Sequence, residues 1–341
     1  MEEQPLVTIQ CITYNHEPYI RQCLEGFVMQ KTNFKFEAIV HDDASTDKTA
    51  DIVREYAEKY PDIIKPIYET ENQYSKKDGS LNKIMAAACT GKYIAMCEGD
   101  DYWIDPLKLQ KQVDFLEANP EYGMVHGDVL YYVYEKKIFK GRKGLICSKY
   151  NSFETDDKEK MFYRIMFGPY SISTLTVLFR KDIYDKIEPD NKKFMMGDTP
   201  LWLNISQRAK IKYIDQVFGV YVKHQGSATR SSDRMRFNLS MYEMRVFYCN
   251  KYEYTIPNKL KIKYNSAYIR LLIKGEPFDA LYDIFHINKL YDSFVFNANL
   301  ISKHKELFNL LYHTKSLINN FIVKMGIVYK IVENFIWRIC K

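Results

Sequence analysis

Three carboxylates lie within four residues in the stretch Glu98-Gly99-Asp100-Asp101, directly after an apolar segment at residues 93–97. At this spacing the negative charges repel one another unless a cation is bound nearby. Mg²⁺ and Mn²⁺ prefer such hard oxygen ligands, and Mg²⁺ usually takes its remaining ligands from phosphate and water. The stretch therefore predicts a divalent cation that holds a diphosphate group. The alternative is an acidic surface turn without a ligand.

Two further polar clusters follow apolar segments earlier in the chain. Thr13, Tyr14 and Asn15 end the first segment, and Asp43 lies just beyond the second. The carboxylate of Asp43 is suited to accept a hydrogen bond from the N–H of a uracil-like base or from a ribose hydroxyl, and a tyrosine can lie against a flat base. The alternatives are a strand-to-helix turn capped by Asn15, and helix capping by residues 45–47.

Apolar segments with β-branched residues alternate with segments of helical spacing over the first hundred residues. The pattern predicts strands at residues 6–14, 36–41, 63–68 and 93–97, and helices at residues 18–30, 47–60 and 81–88, with Asp47 as an N-cap. This alternation indicates a parallel sheet with helices on both faces. Ligands bind beyond the carboxyl ends of such strands, so we expect all three polar clusters in one crevice.

The pattern is less regular after residue 120. We expect strands at residues 123–134 and 173–180, strand pieces at 211–223 and a helix at 198–208. From residue 234 onward the spacing of apolar residues is mostly helical. The predicted organisation is therefore an α/β domain at residues 1–240, followed by a helical region at residues 241–341.

Composition excludes several classes of protein. The net charge of +6 over 341 residues is small and scattered, which argues against a nucleic-acid partner. The seven cysteines are odd in number and widely spaced without a CxxC pair, which argues against a disulfide framework and against a zinc site. The first residues lack a basic segment with a long apolar stretch, and no run of roughly 20 apolar residues occurs. We therefore expect a cytoplasmic protein without a transmembrane helix.

The three polar clusters, in this order and at these separations, resemble the motifs of family 2 glycosyltransferases with the GT-A fold. Such enzymes begin with a strand and a Tyr-Asn turn, here Tyr14-Asn15. An Asp-Asp-x-Ser-x-Asp turn follows, here residues 42–47, and then an acidic metal motif, here residues 98–101. The resemblance covers roughly the first 230 residues. It implies a Rossmann-like, mixed but mostly parallel sheet and an inverting transfer of a sugar to an acceptor hydroxyl.

The resemblance also implies roles for individual residues. Asp100 is the expected ligand of Mn²⁺ or Mg²⁺, together with Glu98, which stands where the family usually has Asp. His224, from a Tyr-x-x-His-x-x-Ser stretch, is expected to reach the metal or the diphosphate. The family's Arg-Asn pair reads Leu81-Asn82 here, so only Asn82 carries over. The residues expected to contact the nucleotide sugar are Thr13, Tyr14, Asn15, Asp43, Asn82, Glu98 and Asp100.

Inverting members of the family carry a later acidic motif, which reads Met196-Gly197-Asp198 here, with Gly197 in place of Glu. Asp198 is the expected general base that takes the proton of the acceptor hydroxyl. The alternative for Asp198 is a helix N-cap. Trp202 either shapes the acceptor pocket or packs in the core. Further contacts to acceptor or phosphate are expected from Asp101, Trp202, Lys223 and Arg230.

The last segment, residues 315–341, is heavily apolar and is interrupted by cations that give it a net charge of +4. Aromatic and basic residues interleave in it, which is typical of a helix that lies in the interface of an anionic membrane. Such a helix would place the protein at the inner face of the cell membrane. The alternative is a helix that docks on the catalytic domain or on a second subunit of a homodimer.

The predicted function is an inverting glycosyltransferase that uses a nucleotide diphosphate sugar, with a UDP-sugar as the expected donor. The expected acceptor is a glycan or a lipid-linked sugar, in the biosynthesis of a surface polysaccharide or glycan. A non-catalytic adaptor of the same fold that binds a nucleotide sugar or a glycan is the alternative. A glycoside hydrolase that uses Asp100 and Asp198 is a third possibility, but it has no use for the nucleoside cluster.

Overall fold

The computed structural model describes residues 4–76, 78–142, 155–167, 172–188, 190, 194–225 and 234–256. Contacts divide the chain into two units. The first comprises residues 1–192 and 197–228, and the second comprises residues 193–196 and 229–341. The first unit contains the sheet and both acidic motifs. The boundary at residue 240 stays a prediction from the sequence.

The strands of the described residues are β1 (Val7–Thr13), β2 (Phe36–Asp42), β3 (Ile64–Tyr68), β4 (Tyr93–Met96), β5 (Tyr102–Trp103), β6 (Tyr122–Val133), β7 (Ile138–Arg142), β8 (Leu178–Arg180) and β9 (Lys210–Lys223). The helices are α1 (Ile20–Val28), α2 (Thr49–Lys59), α3 (Gln73–Lys76), α4 (Ser80–Ala88), α5 (Lys108–Ala118), α6 (Lys158–Phe167), α7 (Lys181–Tyr184), α8 (Asp198–Ser206) and, in the second unit, α9 (Arg234–Lys251). Short 3-10 turns occupy Tyr134–Lys136 and Thr174–Thr176.

All of these strands belong to one sheet, in the order β3-β2-β1-β4-β8-β6-β9-β5, with β7 paired to β6. Strands β1 to β4 run parallel, and β6 runs parallel to β9. Strand β8 is antiparallel to both of its neighbours, and β5 is antiparallel to β9. The expected α/β class with a mixed, mostly parallel sheet is confirmed. The carboxyl ends of β1, β2 and β4 therefore meet at one edge.

The two faces of the sheet follow from the alternation of side chains along each strand. In β1, Val7, Ile9 and Cys11 point into one core, and Gln10 points to the opposite face, where its Nε2 donates to Cys89 Sγ at 3.0 Å. Helices α1, α2 and α5 cover the first face, and α4, α6 and α8 cover the opposite face. Because both faces are covered, the strands read as nearly continuous apolar runs.

Three predicted elements differ from the observed ones. Residues 173–180 form a 3-10 turn before β8 rather than one strand, because both the N–H and the Oγ1 of Thr176 donate to the carbonyl of Ser173. The expected strand pieces at 211–223 form one strand, β9. The N-cap of α2 is Lys48 rather than Asp47. Asp47 lies one residue earlier, and its Oδ1 accepts from the N–H of Thr49 at 2.9 Å.

In the part of the chain that the structure describes, no helix is both long and apolar enough to cross a membrane. The segment 315–341 and Arg230, which the sequence singles out, lie outside the described residues. Their expected contacts with a membrane and with phosphate stay predictions.

Lys108, the first residue of α5, has its side chain fully buried. Its Nζ donates to Gln112 Oε1 at 2.8 Å and to the carbonyl of Val177 at 3.3 Å, and lies 4.1 Å from the centre of the Trp103 ring. Burial lowers the pKa of Lys108 from 10.5 to about 7, although the charges of Cys97 and Asp105 oppose this change. The ammonium form is therefore unfavourable in the folded chain.

We expect this lysine to make stability depend on pH. Between about pH 7 and pH 10.5 the unfolded chain binds one proton more at Lys108 than the folded chain, so the free energy of unfolding rises with pH. In the variant Lys108→Met the free energy should rise less steeply, by about 1 kcal/mol per pH unit between pH 7 and 9. Urea unfolding across this range measures the difference. Lys111→Met, at a partly exposed position on the same helix, is the control and should keep the wild-type slope; equal slopes in both variants would contradict the assignment.

Candidate active site

Backbone hydrogen bonds bring the three polar clusters together at the carboxyl end of β1. The N–H of Gly99, in the acidic turn, donates to the carbonyl of Ile12 at 3.0 Å. The N–H of Asp43 donates to the carbonyl of Thr13 at 2.9 Å. Strand β1 lies between β2 and β4, so its end holds the turn that follows each neighbour. One edge of the sheet thus carries all three clusters, as the order of elements predicts.

The acidic turn approaches β1 so closely that a side chain at residue 99 has no room. A Cβ atom on Gly99 would lie 2.6 Å from Thr13 Oγ1 and 3.0 Å from His16 Nδ1. Thr13 is fully buried, and its Oγ1 has no hydrogen-bond partner among the described residues. Thr13 therefore forms the floor beneath the acidic turn, and its predicted contact with the nucleotide stays a prediction.

Asp43 is buried and holds the next loop in place. Its Oδ1 accepts from the N–H of Gln73 at 2.6 Å, and its Oδ2 accepts from the N–H of Tyr74 at 3.0 Å. These two bonds fix the start of α3 beside the end of β2. The predicted contact between Asp43 and a base or ribose would add to this structural role.

Tyr14 and Asn15 follow Thr13 at the surface. The side chain of Tyr14 is 44% exposed, which leaves one of its faces accessible to a flat ligand. Asn15 has a left-handed backbone conformation with φ of 54°, which asparagine tolerates better than most residues. Its N–H donates to Ser45 Oγ at 2.9 Å, and its Oδ1 accepts from the N–H of Thr46 at 2.8 Å. Asn15 therefore ties the first polar cluster to the second.

Two histidines join Asp100 in a group that fits a metal ion. His224 Nε2 lies 2.9 Å from Asp100 Oδ2, and one ligand atom from each of Asp100, His224 and His16 lies within 4.8 Å of the others. Among the described residues, His16 Nδ1 and Asp100 Oδ1 are buried atoms without a hydrogen-bond partner. Burial lowers the pKa of His16, and nearby His224 acts in the same direction while Asp100 opposes it. Neutral imidazole is the form that binds metals.

Asp100 and His224 were expected as metal ligands from the sequence, whereas His16, which the structure places beside them, was not. The signal available was position alone, because His16 directly follows the Tyr14-Asn15 turn at the end of β1. A lone histidine there carries no motif. Only the fold shows that His16 faces the acidic turn. Gly99 has no side chain, and the imidazole ring of His16 lies beside the space that a side chain there would occupy.

A second group of possible ligands consists of the carboxylates of Glu98, Asp100 and Asp101. Glu98 is exposed at the surface of the turn, yet loss of hydration beside the neighbouring protein atoms raises the pKa of its carboxyl group. The charges of Asp100 and of Asp198 raise it further. Asp198 is therefore close enough to the acidic turn to influence its charge, which brings together the two acidic motifs of the sequence.

Asp101 anchors the last strand to the acidic turn. It is buried, and its Oδ1 accepts from the N–H of Val222 at 2.8 Å. His224 follows two residues later, so this bond helps to place the imidazole beside Asp100. The expected contact of Asp101 with acceptor or phosphate stays a prediction, whereas its positioning role is visible in the structure.

Asp198 lies in the first turn of α8, but it is not the N-cap. That position belongs to Gly197, which lies directly before the helix. Asp198 Oδ1 accepts from the N–H of Thr199 at 2.6 Å, and the side chain is half-buried. The carboxylate is thus held at the start of a helix. Such a carboxylate suits the role of a general base.

The remaining predicted contacts fall in different surroundings. Trp202 is only 2% exposed and packs against Phe179 in the core. Of the two roles that the sequence left open for Trp202, an acceptor contact or core packing, the structure shows core packing. Lys223 Nζ lies 4.1 Å from the centre of the Tyr131 ring. Asn82 is exposed on α4. The expected ligand contacts of Lys223 and Asn82 stay predictions.

Comparison with known proteins agrees with this arrangement. The family model described as glycosyl transferase family 2 matches residues 8–187. An uncharacterized protein of Mycobacterium tuberculosis is 48% identical over 115 residues, which cover 34% of this chain and 32% of that protein. The putative glycosyltransferase EpsE of Bacillus subtilis is 38% identical over 125 residues, which cover 37% of this chain and 43% of EpsE. The chain thus spans about a third to two fifths of the length of these relatives.

Two solved structures share the architecture. TarS 1–349 of S. aureus in complex with UDP-GlcNAc aligns with a TM-score of 0.51 and 16% identity, over 80% of this chain and 76% of that chain. The mannosyltransferase PcManGT from Pyrobaculum calidifontis, in complex with GDP-Man and Mn²⁺, aligns with a TM-score of 0.52 and 18% identity, over 91% of this chain and 88% of that chain. At these identities the likeness shows the fold.

The acidic turn has no space for a side chain at Gly99. Gly99→Ala should lower the affinity for Mn²⁺ about tenfold, because the added methyl group displaces the acidic turn from His16 and Thr13. Overpacking of this kind typically costs about 1–3 kcal/mol. Calorimetric titration with Mn²⁺ and thermal unfolding measure the two effects. Gly197→Ala, where a Cβ meets nothing within 4 Å, is the matched control. Wild-type Mn²⁺ affinity in Gly99→Ala would show that the turn tolerates the displacement.

Proposed function

We propose that this chain, which belongs to glycosyl transferase family 2 and has the GT-A fold, transfers a sugar from a nucleotide diphosphate sugar to an acceptor hydroxyl with inversion at the anomeric carbon. The observation that carries the proposal is the cluster of Asp100, His224 and His16, placed beside the exposed end of β1. Tyr14 lies two residues before His16 and is 44% exposed, so we propose that it receives the base.

For the donor we propose a UDP-sugar. Tyr14 offers an exposed aromatic surface, and Asp43 lies at the neighbouring strand end. The TarS structure contains UDP-GlcNAc and the PcManGT structure contains GDP-Man, so the fold accommodates nucleotide sugars with either base. The flat face of Tyr14 supports a stacked base of either kind, and nucleotide titration decides between them.

For the metal we propose Mn²⁺ or Mg²⁺, held by Asp100, His224 and Glu98, with His16 as a further ligand. When bound, the cation neutralises charge on the diphosphate as it departs. The unpartnered Nδ1 of His16 and Oδ1 of Asp100 support this assignment, since buried polar atoms are normally paired. Imidazole nitrogen is a better ligand for Mn²⁺ than for Mg²⁺, so the two histidines favour Mn²⁺.

For the general base we propose Asp198. Its carboxylate would accept the proton of the acceptor hydroxyl as that oxygen bonds to the anomeric carbon and the bond from that carbon to the diphosphate oxygen breaks. The bond to Thr199 fixes one carboxylate oxygen. The influence of Asp198 on the pKa of Glu98 supports its closeness to the donor side of the site.

The relatives support a role in the biosynthesis of a surface polysaccharide or glycan. The cytoplasmic side of the membrane, as the place of this reaction, is proposed from the sequence alone. The names of EpsE and of a putative teichuronic acid biosynthesis glycosyltransferase, TuaG, both from Bacillus subtilis, point to glycosyl transfer, and the second names a cell polymer. The acceptor we propose is a glycan or a lipid-linked sugar. Contact of residues 315–341 with the membrane rests on the sequence, and co-sedimentation of a chain shortened at residue 314 with anionic liposomes tests it.

Removal of the Asp100 carboxylate should make the affinity for the nucleotide independent of Mn²⁺. Asp100→Asn keeps the size of the side chain and removes its charge, so the Mn²⁺-dependent part of the affinity for the nucleotide should fall at least tenfold, which is about 1.4 kcal/mol or more. Calorimetric titration with UDP, GDP and dTDP, with and without Mn²⁺, measures this and identifies the base. Asp114→Asn, at an exposed carboxylate of α5, is the control. Unchanged metal dependence in Asp100→Asn would remove the metal assignment.

Removal of the proposed base should affect transfer alone. Asp198→Asn should bind Mn²⁺ and nucleotide like the wild type, while transfer from the donor to acceptors in a membrane extract falls by roughly 10²–10⁴-fold. Release of labelled product measures this, with Asp182→Asn at an exposed position of α7 as control. Near-normal turnover in Asp198→Asn would exclude it as the base. If the wild type binds nucleotide but transfers to no acceptor, the chain is a binding protein of the same fold.

A further inference from the structure

A cavity of about 280 Å³ opens beside Asp100. Aromatic side chains make up most of its lining, and we call it the aromatic cavity; these side chains are Tyr19, Tyr102, Tyr132, Tyr134 and Phe139. Asp100 is the one carboxylate among the described residues that line it, and no lysine or arginine is among them. The lining therefore combines flat apolar faces and hydroxyl groups with a single negative charge, which suits a neutral polar ring better than an anion.

The hairpin of β6 and β7 supplies three of these aromatic residues. Tyr132 lies near the end of β6, Tyr134 in the 3-10 turn, and Phe139 on β7. Tyr134 is 40% exposed and Phe139 is 58% exposed, so the hydrophobic core does not account for them. Their rings are held by neighbours: Tyr134 lies 4.8 Å from Tyr19, and Phe139 lies 4.9 Å from Tyr132, between ring centres.

The aromatic cavity adjoins the proposed metal group. Asp100 belongs to both, and the ring of Tyr19 lies 4.5 Å from the ring of His224 with an angle of 30° between their planes. A molecule in the cavity would therefore lie next to the cation and to the diphosphate that the cation holds. That is where the hydroxyl of an acceptor must be when it attacks the anomeric carbon.

The strand residues that line this cavity lie away from the strands that carry the proposed nucleoside position. Tyr14 and Asp43 lie at the ends of β1 and β2, on one side of the acidic turn that follows β4. Strands β5, β6, β7 and β9 lie beyond β8 on the other side, and they supply Tyr102, Tyr132, Phe139 and Val222 to the cavity. Pro18, Tyr19 and Gln22 complete the lining from the segment after β1, so the cavity lies between the two sides and borders the acidic turn. A donor that reaches the cation from the side of β1 and β2 leaves the aromatic cavity to a second molecule.

We propose that the aromatic cavity binds one sugar ring of the acceptor, with Tyr134 and Phe139 as the residues that recognise it. This inference rests on the proposed function. The electron-rich faces of the aromatic rings attract the C–H groups of a sugar, and the tyrosine hydroxyls hydrogen-bond to its hydroxyl groups. The volume of about 280 Å³ lies just below the range for pockets that hold drug-sized ligands, about 300–1,000 Å³, and suits a single ring. The acceptor is therefore a glycan end or a sugar-bearing lipid.

The test uses the full chain with Mn²⁺ and UDP present, and a set of methyl glycosides of glucose, galactose, mannose and N-acetylglucosamine as probes. Saturation-transfer NMR measures glycoside binding, and calorimetry measures UDP binding in the same samples. We expect at least one glycoside to bind with millimolar affinity. Tyr134→Ala and Phe139→Ala should each weaken it at least fivefold and leave the affinity for UDP unchanged.

Conservative and neighbouring variants separate recognition from damage to the hairpin. Phe139→Tyr keeps an aromatic face and should retain glycoside binding. Ile138→Ala, at the exposed position next to Phe139 and outside the cavity lining, should behave like the wild type. If Ile138→Ala loses binding as strongly as Phe139→Ala, the hairpin acts through its fold and the proposed recognition is overturned.

The remaining outcomes distinguish this inference from the proposed function. If UDP binds with Mn²⁺ but no glycoside binds, or if the alanine variants bind glycosides like the wild type, the acceptor assignment fails and the proposed function stands. If the variants weaken the UDP-sugar but not UDP, the cavity holds the donor's sugar, and the inference also fails. If no nucleotide binds with Mn²⁺, the proposed function itself fails, and the inference that rests on it fails with it.

Discussion

The hydrogen bond from the Gly99 N–H to the carbonyl of Ile12 sets the geometry on which the rest of the site depends. It extends the parallel pairing of β1 and β4 by one step beyond the sheet, into the acidic turn. Only a residue without a side chain can make this approach, because Thr13 and His16 occupy the space that a Cβ would need. The carboxylates on either side of Gly99 therefore face the end of β1, where the other two polar clusters also lie.

From that fixed turn, the two histidines are positioned by different means. His16 lies just beyond β1, and its position follows from the strand itself. His224 comes from the far end of β9, and the bond from the Val222 N–H to the Asp101 carboxylate holds that end against the turn. The ring of Tyr19 then packs against His224. One acidic turn thus supplies both the proposed metal ligand, the partly exposed Asp100, and a structural anchor, the buried Asp101.

The same turn concentrates three carboxylates, whose positions range from exposed in Glu98 to buried in Asp101. The raised pKa of Glu98 has loss of hydration as its first cause and the charges of Asp100 and Asp198 as its second. A bound cation would relieve this repulsion, so the arrangement suits a site that is completed by its ligand. Helices cover both faces of the sheet, and its strands are nearly continuous apolar segments. Lys108, buried beneath Trp103, shows that this core also accommodates an amine whose own polar atoms are paired.

Local sequence patterns were enough to predict the alternation of strands and helices in the first hundred residues, the α/β class and the edge at which the polar clusters meet. These features follow from local periodicity, and the carboxyl ends of parallel strands necessarily share an edge. The sequence also identified Asp100, His224 and Asp198 through motif resemblance. It did not reveal His16 as a neighbour of Asp100, the N-cap of α2, the turn before β8 or the burial of Trp202. Those depend on distances between residues far apart in the chain, and on whether a neighbouring side chain or backbone group occupies the available space. The spacing of apolar residues indicates on which face of a helix or strand a residue lies. What that face contacts depends on how elements far apart in the chain pack together.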